Sequence, residues 1–169
     1  MSQWHLLVSV IILRKLRAFR TLGTEGRREV LETLTLTVLV SAGFRVVGVA
    51  RTQEWLRRWA SAGKCEPQLQ NLHSEILSSS RAQHIVRRNT GIKGTCLVRS
   101  LTLWAILLRR GLKTDLRVGF RRREGKLEGH AWVEYEGTPL NEERDITRTY
   151  SVFSEPAAFD ASLRPDRWL

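Results

Sequence analysis

Cysteine is scarce. Cys65 and Cys96 are the two in 169 residues, too few for a disulfide framework, so a reducing, cytoplasmic setting is expected. Proline occupies four positions while hydrophobic residues make up 42%, which excludes a disordered chain and a collagen-like one. No apolar stretch suits a bilayer. Residues 6–13 (LLVSVIIL) fall far short of the roughly 20 needed to span, and Arg14, Lys15 and Arg17 follow in place of an export-signal cleavage site. Residues 34–50 form a longer run, but it carries Arg45 and is interrupted by Gly43 and Gly48. A helix apolar nearly all round is more often buried in a core than spanning, so no membrane span is expected. There is no Gly-rich phosphate loop, no G-x-S-x-G elbow, no internal repeat and no low-complexity tract. Cys65, His73, His84 and Cys96 are 8, 11 and 12 positions apart, which matches no zinc pattern. No metal or cofactor is expected.

Acidic residues are the minority, 17 against 28 Lys and Arg, for a net charge of +11. That balance admits an anionic peptide, nucleic acid or an anionic surface as partner and does not choose among them. The basic clusters near residues 14–28, 87–88, 109–110 and 121–123 fit solvated faces or helix ends. The six Trp fit core and surface anchors better than base-stacking platforms.

Helical signals fill the first two thirds of the chain. Glu25 and Glu29 open a run to about Arg51, Thr52 is a candidate cap for a shorter helix through Ala62, and Gly63 stops it. Residues 64–71, with Pro67, read as a connecting loop. Leu72, Ile76 and Leu77 lie at helical spacing. Ser78, Ser79 and Ser80 break that pattern, and Ser80 to Gln83 has the S-x-x-Q form of a capping box for a further helix through Arg88. Asn89, Thr90, Gly91 and Gly94 are loop chemistry. Thr95 is then an N-cap for a helix from Cys96 to Arg110, with Leu97, Leu101, Trp104 and Leu108 on one face and Gly111 as its stop.

The apolar period next changes from 3.6 to 2. Leu116, Val118 and Phe120 alternate with Arg117, Gly119 and Arg121, a strand. After a turn at Glu124 and Gly125 a second strand places Leu127, Ala131, Val133 and Tyr135 on one face and Glu128, His130, Trp132 and Glu134 on the other. Glu136 and Gly137 turn again into a short third strand, residues 138–142. Helices followed by an antiparallel meander make an α+β domain.

Chemistry concentrates at Cys96 and His130. A cysteine in the first turn of a helix meets the positive end of the dipole and unpaired backbone N–H groups, both favouring thiolate. An inert buried cysteine is the plainer alternative. His130 follows 34 positions later on the non-core face of a strand, and a helix packed on an adjacent sheet can bring a helix-start thiol against a mid-strand imidazole. A third group should orient that ring. Asn141, Glu142 and Asp145 are candidates. With a two-residue loop at Glu136 and Gly137, Trp132 opposes Asn141 and Ala131 opposes Glu142, so Asn141 shares the His130 face and Glu142 points to the core; a bulge reverses this.

The run Thr95-Cys96-Leu97-Val98-Arg99-Ser100-Leu101, with Gly129-His130-Ala131-Trp132-Val133-Glu134 and Leu140-Asn141-Glu142, resembles the transglutaminase-like cysteine proteases that remove the leader in lasso-peptide biosynthesis. The close match covers roughly residues 85–150. The Cys-Leu-x-Arg-Ser-Leu and His-Ala-Trp-Val-Glu motifs together are specific; the second alone indicates only the wider superfamily.

The resemblance implies a papain/transglutaminase-like core (residues 85–150) bearing the cysteine on a helix beside a small antiparallel sheet. A helical part (1–84) packs on it and a tail (151–169) follows, as one structural unit. It implies Cys96 as nucleophile and His130 as general base. The family's closing Asp falls on Glu142, a departure that leaves open whether Glu142 serves or Asn141 takes a papain-like role. It also implies a separate leader-recognition protein, since residues 1–90 read as helices, and a downstream asparagine-synthetase-like cyclase that receives the core peptide. A transglutaminase-type acyl transferase and a basic nucleic-acid-binding module are the alternatives; nucleic acid is not the expected partner. Arg14, Arg17 and Arg20 are candidates for docking the recognition protein, the leader or the cyclase.

Overall fold

The structure, a computed structural model, describes residues 19, 21–63, 72–89, 95–140, 142 and 146–152. Residues 1–18, Arg20, 64–71 with Cys65, 90–94, Asn141, 143–145 and 153–169 lie outside the described residues, and so do the readings made on them. Helices α1 (Thr24–Val46), α2 (Val49–Ala62), α3 (Leu72–Asn89) and α4 (Cys96–Arg109) precede strands β1 (Asp115–Arg123), β2 (Lys126–Tyr135) and β3 (Thr138–Pro139). A one-turn helix α5 (Ile146–Thr149) and strand β4 (Ser151–Val152) follow. The sheet order is β3-β2-β1-β4, antiparallel throughout. The molecule is α+β, as the change of period indicates. Among the described residues no helix is long and apolar enough to cross a membrane.

The first helical run ends at Val46, and the break falls at Gly48, not at Arg51. Val47 and Gly48 N–H both donate to the Gly43 carbonyl, at 2.8 and 3.1 Å, and Gly48 adopts φ +83°, a conformation that costs a side-chain-bearing residue dearly. Thr52 therefore lies inside α2, buried, its hydroxyl donating back to the Gly48 carbonyl at 2.7 Å. A Cβ on Gly43 would stand 2.7 Å from that hydroxyl oxygen, so the missing side chain sets how closely α1 and α2 pack. The apolar run is buried on one side only: Leu36 and Val40 enter the core, whereas Val38, Leu39, Val46 and Val47 are exposed.

The three serines do not break α3. Ser79 is buried, and Arg110, just past the end of α4, donates to its hydroxyl at 3.0 Å and to Glu75 at 2.6 Å. The same guanidinium lies 3.4 Å from Glu29 and 3.6 Å from Glu32 on α1. A small hydroxyl at position 79 thus admits a cation that clasps three helices, and this tertiary contact overrides the weak helix preference of serine. The capping box does not form.

α4 is the centre of the molecule. Thr95 caps it, its hydroxyl accepting from Val98 N–H at 3.3 Å. Gly111, at φ +82°, ends it in a Schellman arrangement: Leu112 N–H reaches Leu107 O and Gly111 N–H reaches Leu108 O. Instead of one apolar face, α4 is buried nearly all round, with Leu97, Leu101, Leu103, Ile106 and Leu107 each 6% exposed or less. Helices α1, α2 and α3 surround it on one side and β1 and β2 cover the other. The core joins Leu36 and Val40 of α1, Leu56 of α2, the α4 side chains, Leu116 and Val118 of β1, and Ala131 and Val133 of β2.

Both hairpins turn on two residues, Glu124-Gly125 (φ 52°, 78°) and Glu136-Gly137 (φ 48°, 76°), the paired positive values of type I′ turns. The third strand is shorter than expected. It ends at Pro139, with one further ladder bond from Leu140 N–H to Val133 O at 2.9 Å. The face of β2 that carries His130 and Trp132 is not solvated either. Tyr150, leading into β4, packs over it, and Trp132 is fully buried with its ring tilted against Tyr150. Gly119, opposite His130 in the register, makes the room: a Cβ there would meet Trp132 at 2.9 Å and the Ser151 carbonyl and Tyr150 at 3.0 Å. Gly119→Ala should accordingly destabilise the fold by about 1–3 kcal/mol, read as a lowered urea midpoint. An unchanged midpoint would show that the Tyr150 segment does not pack there.

Candidate active site

The site is built where the first turn of α4 meets the middle of β2. Ser100, one turn after Cys96 on the same side of α4, is fully buried, and its hydroxyl donates to the Ala131 carbonyl at 2.8 Å. That bond fixes the helix start against the residue next to His130. Cys96, partly buried, and His130, on the adjoining strand position, are in hydrogen-bond contact.

Burial pushes the Cys96 thiol up, but several groups outweigh it. These are the His130 hydrogen bond, the Ala131 backbone N–H, the imidazolium charge and the Leu97 backbone N–H, and the net effect lowers the pKa from its ordinary 9.0. The sulfur in turn raises His130 from 6.5 to about 9, with Glu142 adding to the rise and burial opposing it. Each group therefore favours the charged form of the other, thiolate beside imidazolium.

Glu142 stands behind the ring. Its Oε1 is 3.1 Å from His130 Nε2, which leaves Nδ1 for the sulfur. The Nε2–H does not point along that line, so the contact is a close ion pair rather than a linear hydrogen bond. Strand parity placed Glu142 toward the core. The observed position differs because the chain leaves the ladder after Leu140, which frees Glu142 to turn toward the imidazole. Arg99 Nη2 lies 3.8 Å from the same Oε1. Asn141 and Asp145, the other two candidates, lie outside the described residues.

Aromatic rings wall the imidazole. Tyr150 stacks on His130 with centroids 5.2 Å apart, and Trp132 lies 6.2 Å away at 20° to the ring plane. Trp132 Nε1–H donates to Glu134 at 2.8 Å, and Glu134 is held by Arg117 at 3.0 Å, so that buried carboxylate is satisfied on both oxygens. Arg121 caps the Tyr150 ring at 4.8 Å.

A cleft of about 520 Å³ opens beside Glu142. Ser80, Gln83, His84 and Arg87 line it from one face of α3, and Arg99 and Leu140 complete it with Glu142. Among the described residues no three His, Cys, Asp or Glu are arranged to hold a metal ion.

Sequence reasoning reached Cys96, His130 and Glu142 but not Ser100, Arg99 or Tyr150 as parts of this site. Ser100 carried a readable signal: a hydroxyl four residues after the cysteine, flanked by apolar residues on a mostly apolar helix, needs a partner. Tyr150 carried none, because β4 pairs with β1 across a long stretch of chain.

A family model described as the transglutaminase-like superfamily matches residues 38–155. No curated protein and no solved structure matches the chain.

The electrostatics have a direct readout. Alkylation of Cys96 by iodoacetamide should reach half its maximal rate below pH 9.0, the ordinary thiol value. In His130→Ala, where only the Ala131 and Leu97 backbone N–H groups still oppose burial, the midpoint should move up. Coinciding midpoints in the two proteins would disprove the coupling.

Proposed function

The chain belongs to the transglutaminase-like superfamily, and from that premise we propose that it is a cysteine peptidase that cleaves the leader from a lasso-peptide precursor. The observation that carries this reading is the contact between a helix-start Cys96 and a strand-borne His130 with the Glu142 carboxylate behind it. The motif resemblance selects the leader–core junction as the bond. The enzyme works in the cytoplasm with a separate leader-recognition protein, and hands its product to an asparagine-synthetase-like cyclase.

Chemistry follows the residues. The Cys96 thiolate attacks the carbonyl carbon of the junction, and the developing oxyanion takes the Cys96 backbone N–H, free of an intrahelical partner at the helix start. Collapse breaks the C–N bond as the His130 imidazolium gives its proton to the leaving amine, which becomes the N-terminus of the core peptide. Neutral His130 then takes a proton from water. The resulting hydroxide attacks the thioester and the C–S bond breaks, releasing the leader as a carboxylic acid that gives its proton to solvent and restoring the thiolate–imidazolium pair. Glu142 positions the ring through both steps. Amine transfer branches from the same thioester, with an amine in place of water, and the products separate the two: hydrolysis leaves a free leader carboxylate, transfer an amide adduct.

Cys96→Ala should abolish processing of precursor supplied with the recognition protein, as read by mass spectrometry of the leader. Retained cleavage would remove the assignment. Glu142→Gln should lower the rate on the order of 100-fold while leaving Cys96 alkylable. Cleavage should also fall as pH rises through about 9, where His130 loses the proton that the leaving amine needs. A rate that stays flat through that range would exclude His130 as the acid.

A further inference from the structure

The cleft beside Glu142 has a use that the cleavage chemistry does not require. Its α3 wall is a helical stripe, since Ser80, Gln83, His84 and Arg87 fall at i, i+3, i+4 and i+7. Gln83 ties that wall to α4, its side-chain amide donating to the Arg99 carbonyl at 2.5 Å. Two polar atoms in the lining are buried without a hydrogen-bond partner: Ser80 Oγ and Arg99 Nε. Buried donors left unsatisfied cost free energy that a matching acceptor restores. Arg87 adds an exposed cation at the rim.

Two guanidinium groups thus face one carboxylate, and that carboxylate, Glu142, already leans on His130 and on Arg99 Nη2. The cleft keeps a net positive charge and two free donors. Unpaired donors on Arg99 and Ser80 beside the Arg87 cation are a set whose chemistry suits a carboxylate.

We infer that this cleft is a substrate subsite for a peptide carboxylate, read by Arg99 and Ser80 and drawn in by Arg87. The inference rests on the peptidase reading for its ligand class. Its carboxylate comes either from an acidic side chain of the substrate or from the C-terminus that hydrolysis creates. Three small probes separate these sources: N-acetylglutamate methylamide (side-chain acid), N-acetylglutamine (terminal acid) and N-acetylglutamine methylamide (neutral).

Each probe is titrated into the full chain while the Nε–H signal of Arg99 is followed in proton–nitrogen correlation spectra. Arg99→Lys identifies the signal by removing it. At least one acid should bind about tenfold tighter than the neutral amide and shift the Arg99 signal, and whichever acid does so names the source. In Arg87→Gln, an exposed position on α3, that preference should shrink severalfold. Equal affinity for all three probes, or acid-induced shifts confined to the hairpin cations Arg122 and Arg123, would overturn the subsite. Precursor cleavage by the unaltered chain, supplied with the recognition protein, is read beside the titration and separates the two proposals. Acid preference in a chain that never cleaves precursor keeps the subsite and removes the peptidase; cleavage without acid preference does the reverse.

Discussion

Everything at the site depends on how the first turn of α4 is seated against β2. The Ser100–Ala131 hydrogen bond, 2.8 Å long and fully buried, joins a helix residue one turn from the cysteine to the strand residue beside the histidine. Loss of its hydroxyl leaves a buried carbonyl unpaired, which is costly away from water. The rest of α4 holds that seat in place. Buried on nearly every side and stopped by Gly111 and the Arg110 clasp, the helix has little freedom to slide or rotate. Packing of the core and geometry of the sulfur are therefore one constraint, set by the same helix.

The electrostatic consequence is a coupled pair with its own pH window. His130, raised above its ordinary value, contributes stability that is full below pH 6.5 and lost as pH rises through about 9. Cys96, lowered, contributes stability that is full above pH 9.0 and lost as pH falls through its depressed pKa. These are two views of one attraction and count once. The pair is strongest between the two titrations, where sulfur is charged and imidazole still holds its proton. Aromatic rings on one side and Glu142 on the other keep that ring from turning away.

Local chemistry was legible in the sequence; partners brought from far along the chain were not. Thr95, Gly111 and the two Glu-Gly turns each act on residues within a few positions, and each stands where the sequence places it. The break at Gly48 has a local signal in that glycine, whereas the close approach of Thr52 to Gly43 from the next helix is a contact that no local rule reports. The serines of α3 stay helical because Arg110 arrives from another element, and Ser80 and Gln83, shaped like a capping box, line a cleft instead. All-round burial of α4 had a signature in Leu103, Ile106 and Leu107, which fill the faces that a single stripe leaves polar. For Glu142 the parity rule held only as long as the ladder did, and the ladder stops at Leu140.

That early stop gives the site its particular tuning. A glutamate beyond the ladder reaches His130 with a side chain one methylene longer than aspartate, and it lands between two cations at 3.1 and 3.8 Å. Arg99 draws on the carboxylate that would otherwise act on the imidazolium alone, so the hold on His130 depends on what else Arg99 touches. A carboxylate seated on the free Nε of Arg99 would neutralise part of that guanidinium and leave Glu142 more fully to His130. The imidazolium, and the thiolate it balances, would gain from occupancy of the cleft. A ligand that reached the Arg99 guanidinium would thus also act on the charge of Cys96, through a single shared carboxylate.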